Sequence, residues 1–264
     1  SALDEPLGAL RLADYAGARS VAIAVNDKTR PVPMRYLLPP LLEKLASAGI
    51  APGAVTLIAA VGLHAPMTPE EFPAIIPPQV LLRYPVISHD AKDGENLLYL
   101  GDTSRGTPVW VNALFARAEL RIVVGNIEPH QFAGFSGGVK TAAIGLGGAH
   151  TIQHNHSLLK LPGARLGEVE ANPVRQDVEE IGQRMGVHFA LNAVLNQDKQ
   201  IVNVLAGDPR LVTRQGVPLS RQVSQLAVTA PYDLLVASPG GHPKDINLYQ
   251  AQKGLAHASQ IVKP

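Results

Sequence analysis

Residues 20–61, SVAIAVNDKTRPVPMRYLLPPLLEKLASAGIAPGAVTLIAAV, carry the reading that decides the fold class. Ser20 to Val25 is a short apolar run with β-branched residues, ending in the turn-like NDKTRPVP, which is the signature of a buried strand entering a loop. Pro31 and Pro33 open a helical pattern from Met34 to Ala48. It sets Leu37, Leu38, Leu41, Leu42 and Leu45 on one face and is capped by Gly49. Val55 to Val61 is a second strand and runs into Gly62, Leu63 and His64. Strand, loop, helix, strand and loop in this order predict an α/β fold: a mostly parallel sheet flanked by helices.

Outward from this unit the rhythm continues. MTPEEF starts a proline-bounded helix in which Thr68 and Glu71 have capping-box spacing. Short strands are expected at Pro85 to Ser88, Leu97 to Gly101 and Val109 to Val111, then a short helix over Ala113 to Ala118 and a strong strand, LRIVV, at 120–124. Pro173 to Met185 reads as an amphipathic helix. Phe189 to Leu195 and Ile201 to Leu205 read as a strand pair turning through Asn196 to Lys199, and Leu211 to Leu226 as mostly helical. Leu234 to Ala237 then begins a fresh strand, followed by a helix from about Asn247 to Ser259. One strand and one helix cannot bury their apolar faces alone. The expectation is therefore a domain over 1–228 and the start of a second α/β domain over 229–264, truncated here.

Composition narrows the function. A hydrophobic fraction of 46% against 17% charged residues supports a sizeable core. The formal net charge of +1 gives no electrostatic case for nucleic acid. The absence of cysteine excludes disulfides, thiolate ligands and a cysteine nucleophile, and is compatible with the cytoplasm. No apolar run approaches eighteen residues, so no membrane partner is expected.

Polar clusters follow the apolar strands, where open α/β sheets place their ligand crevices. They are Asp27-Lys28-Thr29-Arg30, then His64, then His130 with Lys140 and His156 downstream, and finally His242-Pro243-Lys244-Asp245 leading to Tyr249, Gln250 and Lys253. The stretch 128–157, EPHQFAGFSGGVKTAAIGLGGAHTIQHNHS, combines glycines, histidines and one lysine around few other charges, as suits a site for an anionic small molecule with acid–base chemistry beside it. Bland explanations compete. Asp27 and Arg30 could form a helix N-cap ion pair. A lone His64 is more often structural than catalytic. The H-x-H spacing of His154 and His156, considered on a strand, is not expected to make a shared metal site, although His156 could serve as a single ligand. FSGGVKTA lacks the glycine spacing of a P-loop. Lys140, following Gly137-Gly138, reads as a phosphate partner or a nucleophilic amine.

With these residues in view, the chain resembles the nickel-pincer lactate racemase family. The carrying motifs are NDKTRPVP (26–33), GLHAPMTPEE (62–71), EPHQFAGFSGGVKTAAIGLGG (128–148), TIQHNHS (151–157) and GGHPKDINLYQAQKGL (240–255). The resemblance implies a two-domain architecture and racemisation or epimerisation of a 2-hydroxy acid. The implied cofactor is nickel pyridinium-3,5-bisthiocarboxylic acid mononucleotide, the nickel-pincer nucleotide, which takes up and returns a hydride. It further implies Lys140 as covalent tether, His156 as nickel ligand, and His64 and His130 as general bases. Asp27, Thr29, Gly137 and Gly138 would lie at the cofactor, and Arg30, Tyr249, Gln250 and Lys253 at the substrate. Cofactor-making proteins are implied as loading partners; a homo-oligomer is left open. The chain departs from the pattern at Ala65 and Val139, where the family commonly carries arginine, and lacks a proline common just after the lysine. The implied substrate is therefore lactate or a related 2-hydroxy acid, the departures signalling another such acid or a divergent activity. The competing expectations are a non-nickel hydrolase or lyase using the same cleft, and a protein that binds a nucleotide-like anion without catalysis.

Overall fold

The computed structural model describes every residue except 9, 10, 31, 242–244, 246 and 264, and the side chains of 249, 250, 253 and 257. The elements in chain order are β1 (Val21–Asn26), α1 (Met34–Ser47), β2 (Val55–Ala60), α2 (Pro78–Leu81), β3 (Val86–Ser88), β4 (Leu97–Asp102), β5 (Pro108–Asn112) and α3 (Ala113–Arg117). There follow β6 (Leu120–Asn126), β7 (Pro129–His130), β8 (Gly134–Phe135), α4 (Lys140–Ala143), α5 (Ala149–Ser157), α6 (Pro173–Met185), β9 (Phe189–Leu195), β10 (Ile201–Gly207), α7 (Pro209–Ser224) and α8 (Leu248–Ala258).

Six strands form the central sheet in the order β10-β9-β6-β1-β2-β3. All neighbours are parallel except β10, which returns antiparallel from β9. β1 lies at the centre and is buried on both faces, which explains its unbroken apolar run. Val21, Ile23 and Val25 face the core shared with α1, while Ala22 and Ala24 face a second core that includes Phe115, Val139, Val178 and Val212. The small alanines let the helices of that second layer approach the sheet closely. α1 buries all five of its predicted leucines. It ends in a Schellman motif: Gly49, at φ +79°, gives its N–H to Ala46 at 2.9 Å, and the Ile50 N–H reaches the Leu45 carbonyl at 3.1 Å.

The chain runs from β1 outward through β2 and β3, then returns across β1 to β6. The loops after β1 and β6 therefore diverge to opposite sides of the sheet and open a crevice at its carboxyl edge.

The chain after α7 corrects one expectation. Residues 234–237 form no strand; the backbone there has only a bridge between Tyr232 and Val262. An apolar run becomes a strand only where another strand supplies partners for its N–H and C=O groups, and none lies alongside among the described residues. Leu234 and Val236 stay 81% and 91% exposed. MTPEEF also differs in detail, forming a 3-10 turn over Pro69–Ala74 in which Glu71 accepts the Thr68 N–H at 3.0 Å.

Candidate active site

A cavity of about 790 Å³ opens at the carboxyl ends of β1, β2 and β6. Its lining brings together Asp27, Thr29, Arg30, His64, His130, Gly137, Lys140 and His156, which are far apart in the chain. Gly138 stands behind this wall; its N–H is held by Asn192 Oδ1 at 2.6 Å. The side chains of Tyr249, Gln250 and Lys253, on α8, and residues His242, Pro243 and Lys244 lie outside the described residues. α8 does reach the rim, where Gln252 Nε2 donates to Gln131 Oε1 at 3.3 Å.

The β1–β2 wall is built on Asp27. One carboxylate oxygen receives the Thr29 hydroxyl at 2.6 Å and the Thr29 N–H at 3.1 Å; the other meets His64 Nδ1 at 2.6 Å. Burial alone would raise the Asp27 pKa. The hydrogen bonds from His64 and Thr29 and the charges of His64 and Arg30 outweigh it and hold the carboxyl below its ordinary value. An ionised carboxylate only accepts, so Nδ1 of His64 is the donor to Asp27, and Nε2 is left as the nitrogen that can exchange a proton with a ligand. Asp27 is thus the orienting partner of His64 rather than a helix cap: α1 begins at Met34 behind Pro33. Arg30 lies 3.8 Å from Glu128, and Lys28 pairs with Glu71.

His130 is held in the complementary state. The Ala133 N–H donates to its Nδ1 at 3.2 Å, so this Nδ1 accepts where that of His64 donates. Phe132 stands edge-on to both His130 and His156, with ring centroids 4.7 and 5.0 Å away, and so spaces the two imidazoles.

His156 and His154 lie on helix α5, not on a strand. Two residues apart they would share a face on a strand, whereas on a helix they diverge by about 200°. His154 is taken by the Thr107 hydroxyl at 2.8 Å, and His156 lines the cavity. Burial, followed by the Lys140 charge, lowers the His156 pKa to about 4 against the pull of the Ile152 carbonyl. The ring is therefore neutral at pH 7, and its buried Nδ1 has no hydrogen-bond partner of good geometry. No group of three histidine or acidic side chains suited to a metal occurs among the described residues. Any metal here would need most of its ligands from elsewhere.

Ala65 and Val139 are not among the residues lining the cavity. Val139 is buried against Gly182 of α6, where an added Cβ would fall 2.3 Å from Val139 Cβ. The departure at 139 thus changes packing behind the site rather than the site itself. The motifs did not single out Asn192 and Arg175, because their roles rest on contacts between residues 38 or more positions apart.

Residues 1–167 match the model of the lactate racemase N-terminal domain. Over 99% of its length the chain is 34% identical to the lactate racemase of Thermoanaerobacterium thermosaccharolyticum and 33% identical to that of Lactiplantibacillus plantarum. It spans 62% of the length of each of these curated relatives. The structure of the lactate racemase apoprotein from T. thermosaccharolyticum superposes with a TM-score of 0.93 at 33% identity, covering 99% of this chain and 63% of that one. A Thermotoga maritima protein, 20% identical with a TM-score of 0.67 over 86% of this chain and 61% of its own, shares the fold.

Proposed function

The chain belongs to the lactate racemase family, and from that premise we propose that it is the cofactor-holding part of a racemase of lactate or a closely related 2-hydroxy acid. The observation that carries this reading is the convergence of His64, His130, Lys140 and His156 on one cavity. We place the domain boundary near residue 228. In support, α7 ends at Ser224 and Leu226 beyond it is 90% exposed.

The donor set fits the nickel-pincer nucleotide. A neutral, half-buried imidazole whose buried Nδ1 has no partner of good geometry is a form in which histidine binds a borderline divalent metal. With only one such protein ligand, the organic group itself would supply the rest. Lys140 would tether the group and His156 would ligate the metal. When bound, the group supplies a reversible hydride acceptor for C2 of the hydroxy acid.

The other residues then have separable tasks. His64 and His130 act as general bases on the two sides of the substrate: each accepts the hydroxyl proton of one enantiomer as the hydride leaves C2 and, as the imidazolium so formed, returns it when that enantiomer is remade. Asp27 keeps His64 in the accepting tautomer. Arg30 provides a guanidinium suited to the substrate carboxylate. Val139 packs against Gly182 outside the lining, so its departure from the family pattern gives no ground for excluding lactate.

The test uses full-length protein coexpressed with the cofactor-making enzymes, examined by intact mass, metal analysis and a chiral assay of 2-hydroxy acids. Nickel and a mass adduct on Lys140 are expected. Their absence, or turnover that survives Lys140→Ala without metal, would replace this reading with a hydrolase, a lyase or a binding protein.

A further inference from the structure

Helix α6 (Pro173–Met185) lies beyond the 1–167 segment that matches the family model, yet it grips both elements that carry Lys140 and His156. Arg175, 1% exposed, sends Nη1 to the carbonyls of Phe135 and Gly137, each at 3.2 Å. Its Nη2 reaches Thr213 Oγ1 at 3.1 Å and pairs with Glu179. Gly137 and Gly138 stand at φ +88° and +57°, and a Cβ on Gly138 would meet Thr213 Oγ1 at 2.1 Å. Farther along α6, Gly182 seats Val139, the neighbour of Lys140. Asp177, also 1% exposed, accepts Asn155 Nδ2 at 2.8 Å together with the hydroxyls of Thr103 at 2.6 Å and Thr107 at 2.9 Å. Asn155 directly precedes His156 on α5.

Two consecutive glycines at positive φ would leave a loop with many conformations unless its polar groups were tied down. Here a buried guanidinium holds two of the loop's carbonyls, and Asn192 holds the Gly138 N–H. The loop cannot shift without stripping a buried charge of its acceptors, which is strongly unfavourable. The same logic applies to Asp177, whose oxygens are shared among three donors from α5 and the β4–β5 turn.

We infer that α6 is the positioning element of the site. Arg175, with Asn192, fixes the loop that presents Lys140, and Asp177 fixes the turn of α5 that presents His156. The inference rests on reading Lys140 and His156 as the cofactor's anchors, but its test needs no cofactor. On the 264-residue chain, Lys140 is labelled with pyridoxal phosphate and borohydride and His156 with diethyl pyrocarbonate. Both are quantified by peptide mass spectrometry per folded molecule, with exposed Lys199 and His150 as internal standards. Arg175→Lys should raise labelling of Lys140 about fivefold without moving His156, and Asp177→Asn should do the reverse. Asn192→Ala should act on Lys140 in the same direction and serves if Arg175→Lys does not fold. Reporter rates that stay at wild-type values while the melting temperature falls would make these ordinary core contacts and overturn the inference. So would variants that loosen both reporters alike. A missing adduct on Lys140 in the full-length protein would instead count against the cofactor reading and leave these rates as they are.

Discussion

The two walls of the cavity hold the same kind of side chain under opposite conditions. On the β1–β2 wall, His64 is 47% exposed and clasped by a carboxylate 2.6 Å away. On the wall formed by β6, α4 and α5, His156 is half-buried beside Lys140, with its Nδ1 out of reach of solvent and without a partner of good geometry. An exposed, oriented imidazole can take up and give back a proton; a half-buried neutral one, short of partners, is suited to binding. His130 lies between them, with Nδ1 accepting where that of His64 donates. The surroundings, not the residue type, divide the labour.

Breaking the second wall should have the largest effect. In full-length, cofactor-loaded protein, Lys140→Ala should remove the mass adduct and His156→Ala the bound nickel, and each should bring racemisation to the uncatalysed level. Nickel retained by His156→Ala would erase the distinction between the walls. Next, His64→Ala or His130→Ala should lower turnover by about 10²- to 10⁴-fold while adduct and nickel persist. Loss of metal in His64→Ala would show that the first wall also holds the cofactor. Asp27→Asn should act more mildly, reducing turnover about tenfold and stability by about 1 kcal/mol at pH 7. The Asp27 pKa is depressed in the folded state, so its contribution is present above the unfolded value of about 3.9 and disappears as pH falls through the folded one. The melting-temperature gap between wild type and Asp27→Asn should therefore narrow progressively below about pH 4, and a gap undiminished at pH 2 would contradict the pairing. Val139→Ala should affect catalysis least. It should cost about 1–3 kcal/mol of stability and leave the preference among 2-hydroxy acids unchanged in a chiral assay. An altered preference would return Val139 to the substrate's surroundings.

Much of the fold was legible because its period and punctuation are local. The continuous apolar run of β1, the five leucines of α1 with Gly49 behind them, and the hairpin of β9 and β10 each follow from neighbours in sequence. The Leu234 to Ala237 run misled for the complementary reason. Its composition favours a strand, but no second strand lies beside it. That His154 and His156 fall on a helix was not legible, because so short a polar stretch has no apolar rhythm to read.

By itself, the sequence determined the parallel α/β class, the positions of the site motifs after the strands and the residue types available for chemistry. These depend on side-chain periodicity and on where apolar runs stop. Only the tertiary structure decided that Asp27 serves His64, that Nδ1 of His130 meets the Ala133 N–H, and that Val139 packs against Gly182 outside the cavity lining. It also decided that Arg175 and Asp177 stand behind Lys140 and His156. Each of these facts is a contact between distant segments, and the energy of a buried charge or hydrogen bond depends on partners that no local window of sequence contains.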